Sequence, residues 1–229
     1  MTSRWSGPEF DNNHINLYFL VFGPGASIVI SSTGPTLRSF GSVLGQFDYD
    51  EETKSFKQKS TLQNEKEVAR YLFQQSDKTW RIGKDPNVEA GWFLNQNTSS
   101  EIPQKGWEYF DNGYWPDSSI TISAGEVKPC PAVDVQVLGA AKDKYPNCCH
   151  GVFNFTDAWV TGRAFYRNED VLDKMLHVGG GGRWAFAAGY GGGWIKSSDG
   201  PLNPADATNW VFWDGTKDSP ADIKIQCIE

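Results

Sequence analysis

A chain of 229 residues with 39% hydrophobic and 21% charged residues has ordinary globular composition, which excludes wholesale disorder and allows one large or two small domains. A net charge of −7 and a pI near 5.0 leave no broad basic surface, so nucleic acid is not an expected partner and anionic membranes and polyanions are disfavoured. No apolar run approaches the ~18–20 residues of a membrane span, so membrane insertion is not expected either.

Residues 1–25 carry one apolar stretch, Ile15–Phe22, interrupted by Asn16 and preceded by Glu9 and Asp11. That is a poor signal peptide, and the segment reads as a tail or an appended strand.

From residue 26 onward the same landmarks occur twice in the same order. Ser27-Ile28-Val29-Ile30 answers Asp134-Val135-Gln136-Val137, and Gly45-Gln46-Phe47 answers Gly151-Val152-Phe153. Arg70-Tyr71-Leu72-Phe73 then matches Lys174-Met175-Leu176-His177, and Trp80 matches Trp184. Gly91-Trp92 matches Gly193-Trp194, Trp107 matches Trp210, and Ile120-Thr121-Ile122 matches Ile223-Lys224-Ile225. Two β modules follow, at 26–123 and 132–229, joined by a Pro- and Gly-containing linker at 124–131.

Within each module, runs of alternating apolar and polar residues are separated by Gly, Asn, Asp and Pro, the punctuation of short strands and turns. The expected fold is all-β and mainly antiparallel: two tandem divergent repeats forming small sandwich-like or barrel-like modules, about seven strands each, with at most short helical turns. Asp111-Asn112-Gly113 and Asp214-Gly215 mark a hairpin in each copy, of the kind that favours type I′ turns. The helical turns are expected at Asn64–Val68 and Asn168–Leu172, where Asn and Glu imitate an N-cap.

Ten Trp among 229 residues is the least ordinary figure, and the repeat sorts them. A Trp that recurs at the matching position serves the shared scaffold, which assigns Trp80, Trp184, Trp92, Trp194, Trp107 and Trp210 to packing. Trp115 and Trp159 have no counterpart and are the candidates for a ligand; Trp213 faces Phe110 in register and is partly structural. Aromatics beside Asp, Asn and Gly on loops can stack on the C–H face of a sugar while polar groups take its hydroxyls. The candidate ligand residues are therefore Tyr114, Trp115 and Asp117 in one loop, Asp157 and Trp159 in another, and Tyr190 in a third. The competing reading places these rings at hairpin tips or between the modules.

The glycine runs Gly179–Gly182 and Gly191–Gly193 lack the strand-to-helix context of a phosphate cradle and read as flexible loops. Of the four cysteines, Cys130 and Cys227 bracket the second module and are placed to close it with a disulfide. Cys148 and Cys149 are adjacent, which suits a vicinal or intermolecular disulfide or buried thiols rather than zinc ligation.

No catalytic residue, metal site or cofactor is read from the chain: it lacks the serine-hydrolase elbow and the paired-histidine zinc motif, and His14 and His177 sit in tail and strand contexts. The leading expectation is a non-enzymatic, secreted or otherwise extracellular binding protein that presents loop aromatics to a carbohydrate. The alternatives are a structural or adhesion module that contacts a protein partner, and a glycan hydrolase using unrecognised carboxylates.

Overall fold

A computed structural model describes residues 23–61, 69–170, 174–179, 181–188 and 193–229. It contains two nine-stranded sheets of identical strand order.

The first sheet comprises β1 (Ser27–Ser31), β2 (Gly45–Asp50), β3 (Ser55–Gln58), β4 (Tyr71–Gln74), β5 (Trp80–Gly83), β6 (Phe93–Asn95), β7 (Glu108–Phe110), β8 (Tyr114–Pro116) and β9 (Thr121–Ala124). The second comprises β10 (Ala132–Leu138), β11 (Gly151–Val160), β12 (Arg163–Asn168), β13 (Lys174–Val178), β14 (Trp184–Ala188), β15 (Ile195–Lys196), β16 (Val211–Trp213), β17 (Asp218–Pro220) and β18 (Asp222–Ile228). In each sheet eight strands meander antiparallel, and the ninth returns to pair with the first, β9 with β1 and β18 with β10.

That order forces curvature. β8 and β9 occupy opposite edges of the first sheet yet are linked only by residues 117–120, and β17 and β18 only by Ala221. So short a connection holds the two edges near each other, so the sheets curl into a half-barrel and a near-barrel. Each concave face encloses one apolar core, with Ile28, Phe47, Phe56, Leu72, Ile82 and Trp107 in the first and Val133, Phe153, Tyr166, Leu176, Phe186 and Trp210 in the second.

The landmarks repeat at the level of atoms. Gly45 and Gly151 open β2 and β11 with positive φ of 115° and 100°, and Phe47 and Phe153 beyond them are fully buried. The indole N–H of Trp80 donates to the Ser99 carbonyl at 2.9 Å and that of Trp184 to Pro201 at 2.8 Å. Trp107 likewise donates to Pro103 at 2.8 Å, and Trp210 to Ala207 at 3.2 Å. Trp92 lies under the Arg70 guanidinium and Trp194 under the Lys174 ammonium, an equivalent cation–π pair in each copy. Trp80, Trp107, Trp184 and Trp210 are thus packing residues that bury a large apolar area while satisfying their one donor, and Trp92 and Trp194 are packed under a cation.

The expected hairpins are present, with loops longer than the two residues of a type I′ turn: Phe110 pairs with Tyr114 across three residues and Trp213 with Asp218 across four. Two short α-helices occur among the described residues. α1 (Pro35–Phe40) and α2 (Gly139–Lys144) each follow the first strand of a module. Asn168 ends β12 and its side chain accepts the Asp170 N–H at 2.9 Å. Residues 62–68 and 171–173 lie outside the described residues, as do residues 1–22.

Two disulfides tie the second module. Cys130 bonds Cys227, the latter within β18 rather than beyond it, with Cα atoms 5.4 Å apart; Cys148 bonds its neighbour Cys149. Together they point to an oxidising setting. No helix among the described residues is long and apolar enough to cross a membrane.

Candidate functional site

The tip between β11 and β12 is a two-residue turn, Thr161-Gly162, with φ of 49° and 73°. It inserts against the first module: Gln46 N–H donates to the Gly162 carbonyl at 2.8 Å, and Gly162 N–H donates to Lys59 at 2.8 Å. Glycine is required on both sides, since a Cβ on Gly45 would stand 2.6 Å from the Gly162 carbonyl oxygen. Gly41 packs in the same way on Gly181 and Gly182, so that part of the 179–182 run is a close-packed backbone surface rather than a free loop.

Trp159 belongs to this junction. Its backbone N–H donates to the Thr61 hydroxyl at 2.8 Å, its carbonyl accepts from Thr61 N–H, and Lys59 lies 4.3 Å from the centre of its ring. The residue is 6% exposed. This corrects its candidacy as a ligand-stacking ring: the ring is covered by the other module. Asp157, at positive φ beside the irregularity between Phe155 and Trp159, is exposed but has lost its aromatic companion.

Sequence reasoning missed Arg163, next on the same hairpin and 1% exposed. Its guanidinium donates to the carbonyls of Gly41 at 3.1 Å, Leu44 at 3.5 Å and Gly200 at 2.9 Å, bridging both modules without a carboxylate. Burial pulls its pKa down to about 10, so it stays charged at neutral pH. Its signal in the sequence was slight: a cation one residue after a Gly turn, in a run that is otherwise apolar.

Asp117 also changes role. It is buried, and its carboxylate accepts from Ser119 N–H at 2.9 Å, Ser119 hydroxyl at 2.6 Å and Thr36 N–H at 3.2 Å. It thereby ties the β8–β9 connection to the first turn of α1. Burial raises its pKa, but the hydrogen bonds from Ser119 and Thr36 outweigh this and hold it below the usual carboxylate range. A depressed folded-state pKa stabilises above the ordinary value of about 3.9, and that contribution is lost as pH falls through the folded value. Asp117→Asn should therefore cost about 1–2 kcal/mol at pH 7 and progressively less below pH ~4, as read from urea midpoints at the two pH values.

The exposed aromatics lie on the β7–β8 and β16–β17 hairpins. Phe110 is 47% and Trp213 49% exposed at the same position of the two modules, and Trp115 is 56% exposed on β8. The Trp115 indole N–H donates to the Asp111 carbonyl at 2.9 Å, which fixes the ring on its own turn. Tyr114 stands edge-on to Phe110, and its hydroxyl donates to the Gly91 carbonyl at 3.2 Å.

In the second module Trp213 is flanked by Asp218, its cross-strand partner, which pairs with Lys196 at 2.8 Å. Asp214 anchors that turn: hydrogen bonds from Ser219 and Thr216 hold its carboxyl far below the usual range. Sequence reasoning undervalued Phe110 and Trp213 because their recurrence suggested scaffold, whereas both copies leave them in solvent. Tyr190 lies outside the described residues.

A pocket of about 370 Å³ opens on the first module between the β2–β3 and β4–β5 hairpin tips. Phe56, Phe73 and Trp80 form its apolar side, and Thr53, Ser55, Gln74, Asn87, Ser100 and Lys54 its polar side. Among the described residues no cluster of three His, Cys, Asp or Glu has the placement of a metal site.

The fold and these surfaces define a tandem-repeat all-β protein with exposed hairpin aromatics. No family model, curated protein or solved structure matches the chain.

Proposed function

We propose that the protein is a non-enzymatic, secreted carbohydrate-binding protein whose β7–β8 and β16–β17 hairpins carry the contact rings. The observation behind this reading is that Phe110 and Trp213, equivalent in two modules whose other repeated tryptophans are buried or packed under a cation, both remain about half exposed. An aromatic held outward twice suits stacking on the apolar face of a sugar ring. Trp115 enlarges that surface on the first module, and Asp111, Asn112 and Asp218 supply polar groups beside the rings for hydroxyl contacts. Two disulfides in one module agree with an extracellular destination.

The test is a glycan array with the wild type, followed by Trp115→Ala and Trp213→Ala on each hit. Because both rings lie on the surface, each change should alter stability by no more than about 0.5 kcal/mol. Binding should fall at least tenfold in one or both. A blank array, or hits that neither change weakens, would replace this reading with a protein-contacting structural module.

A further inference from the structure

Resting on the carbohydrate reading, we infer that the 370 Å³ pocket of the first module is a separate site for a single uncharged sugar unit. Small-molecule sites span about 300–1,000 Å³, so this one is at the small end and suits a monosaccharide or a terminal residue rather than a longer chain. Its walls fit that chemistry. Phe56, Phe73 and Trp80, nearly covered, give it an apolar floor, while the hydroxyl of Ser100 and the amide oxygens of Asn87 and Gln74, whose amide nitrogens are engaged elsewhere, match sugar hydroxyls.

Charge narrows the class further. No carboxylate lines the pocket, so it is not built for a cation. A cationic Lys54 stands at its mouth, in no ion pair among the described residues, but the hairpin tip behind it carries Asp50, Glu51 and Glu52, and the whole chain carries −7. An anionic ligand would approach against that field, and a neutral polyol would not.

In the second module the equivalent hairpin tip, Thr161-Gly162, is instead enclosed by the junction with the first.

Titration calorimetry with glucose, galactose, mannose and N-acetylglucosamine, and with glucuronate as the charged counterpart, tests this directly. At least one neutral sugar should bind with a stoichiometry of one, and glucuronate should bind at least tenfold more weakly than glucose where glucose binds. Ser100→Trp, which fills the mouth from an exposed position, should abolish monosaccharide binding. Lys54→Gly, which suits the positive φ of 53° at that residue, should weaken it severalfold without unfolding the hairpin.

Lys128→Ala, an exposed change in the linker that lines neither the pocket nor the hairpins, should leave monosaccharide binding unchanged. Failure of every neutral sugar to bind, indifference to Ser100→Trp in a protein of native circular dichroism, or equal binding of glucuronate would each overturn the pocket assignment. Array hits lost with Trp115 or Trp213 but untouched by Ser100→Trp would overturn the pocket and keep the hairpin reading. The reverse pattern would keep the pocket and overturn the hairpins.

Discussion

Replacing Cys130 and Cys227 together by alanine should lower the stability of the second module by about 4 kcal/mol, the largest single effect expected in this chain. The bond links residues 97 apart in sequence, and closing so long a loop removes much of the unfolded chain's freedom. In the folded state it adds little geometric constraint, because β10 and β18 already pair from Ala132–Ile228 to Leu138–Asp222. The stabilisation therefore acts chiefly through the unfolded ensemble, and the double variant should retain native circular dichroism while its urea midpoint falls. A loss under about 1 kcal/mol would mean that the reduced unfolded chain keeps this region compact.

Arg163→Ala should cost about 3 kcal/mol and also change how the protein unfolds. The substitution strips donors from the Gly41, Leu44 and Gly200 carbonyls, and a buried acceptor left unsatisfied costs about 1–3 kcal/mol. Removing a buried cation that lacks a carboxylate returns part of that sum. Because Arg163 bonds carbonyls of both modules, its loss should also uncouple them, so that one cooperative calorimetric transition becomes two. Arg163→Lys should give an intermediate result, since an ammonium cannot reproduce the planar fork that reaches three carbonyls. A single transition at unchanged temperature in Arg163→Ala would show that the glycine contacts and the Gly162 strand pairing join the modules by themselves.

Much of the fold was legible because a repeat provides its own control. Gly45 and Gly151, Phe47 and Phe153, and Trp80 and Trp184 matched as text and match as structure, down to the indole hydrogen bonds. Strand periodicity indicated β structure but undercounted the strands, since β15 has two residues and β6, β7 and β8 only three, too few to show alternation. α1 and α2 went unread because Pro35 at a helix start and Ala140-Ala141 are quieter signals than an Asn and Glu pattern.

The site was less legible, and for one physical reason: composition does not reveal what the other module covers. Trp159 and Trp115 looked alike as unmatched loop aromatics, yet one is sealed by Lys59 and Thr61 and the other stands in water. Asp117 looked like a hydroxyl partner beside Trp115, although its hydrogen bonds to Ser119 and the start of α1 turn it inward. Arg163 carried no motif, because a guanidinium that bonds only carbonyls leaves no acidic partner to find.

The return of β9 to β1, and of β18 to β10, sets the schedule on which this chain can fold as it leaves the ribosome. An opening strand waits for a closing one some ninety residues later, Ile30 for Ile122 and Val137 for Ile223. Until then the apolar side of the growing meander has an unpaired edge, the kind of surface that invites mispairing with a neighbouring chain. The first module is complete once β9 emerges and can offer Gly41, Gly45 and Lys59 as a finished receptor. The Thr161-Gly162 hairpin is synthesised soon afterwards, well before the second sheet closes, so the first copy can act as a template that holds the early strands of the second while its last strand is still to come.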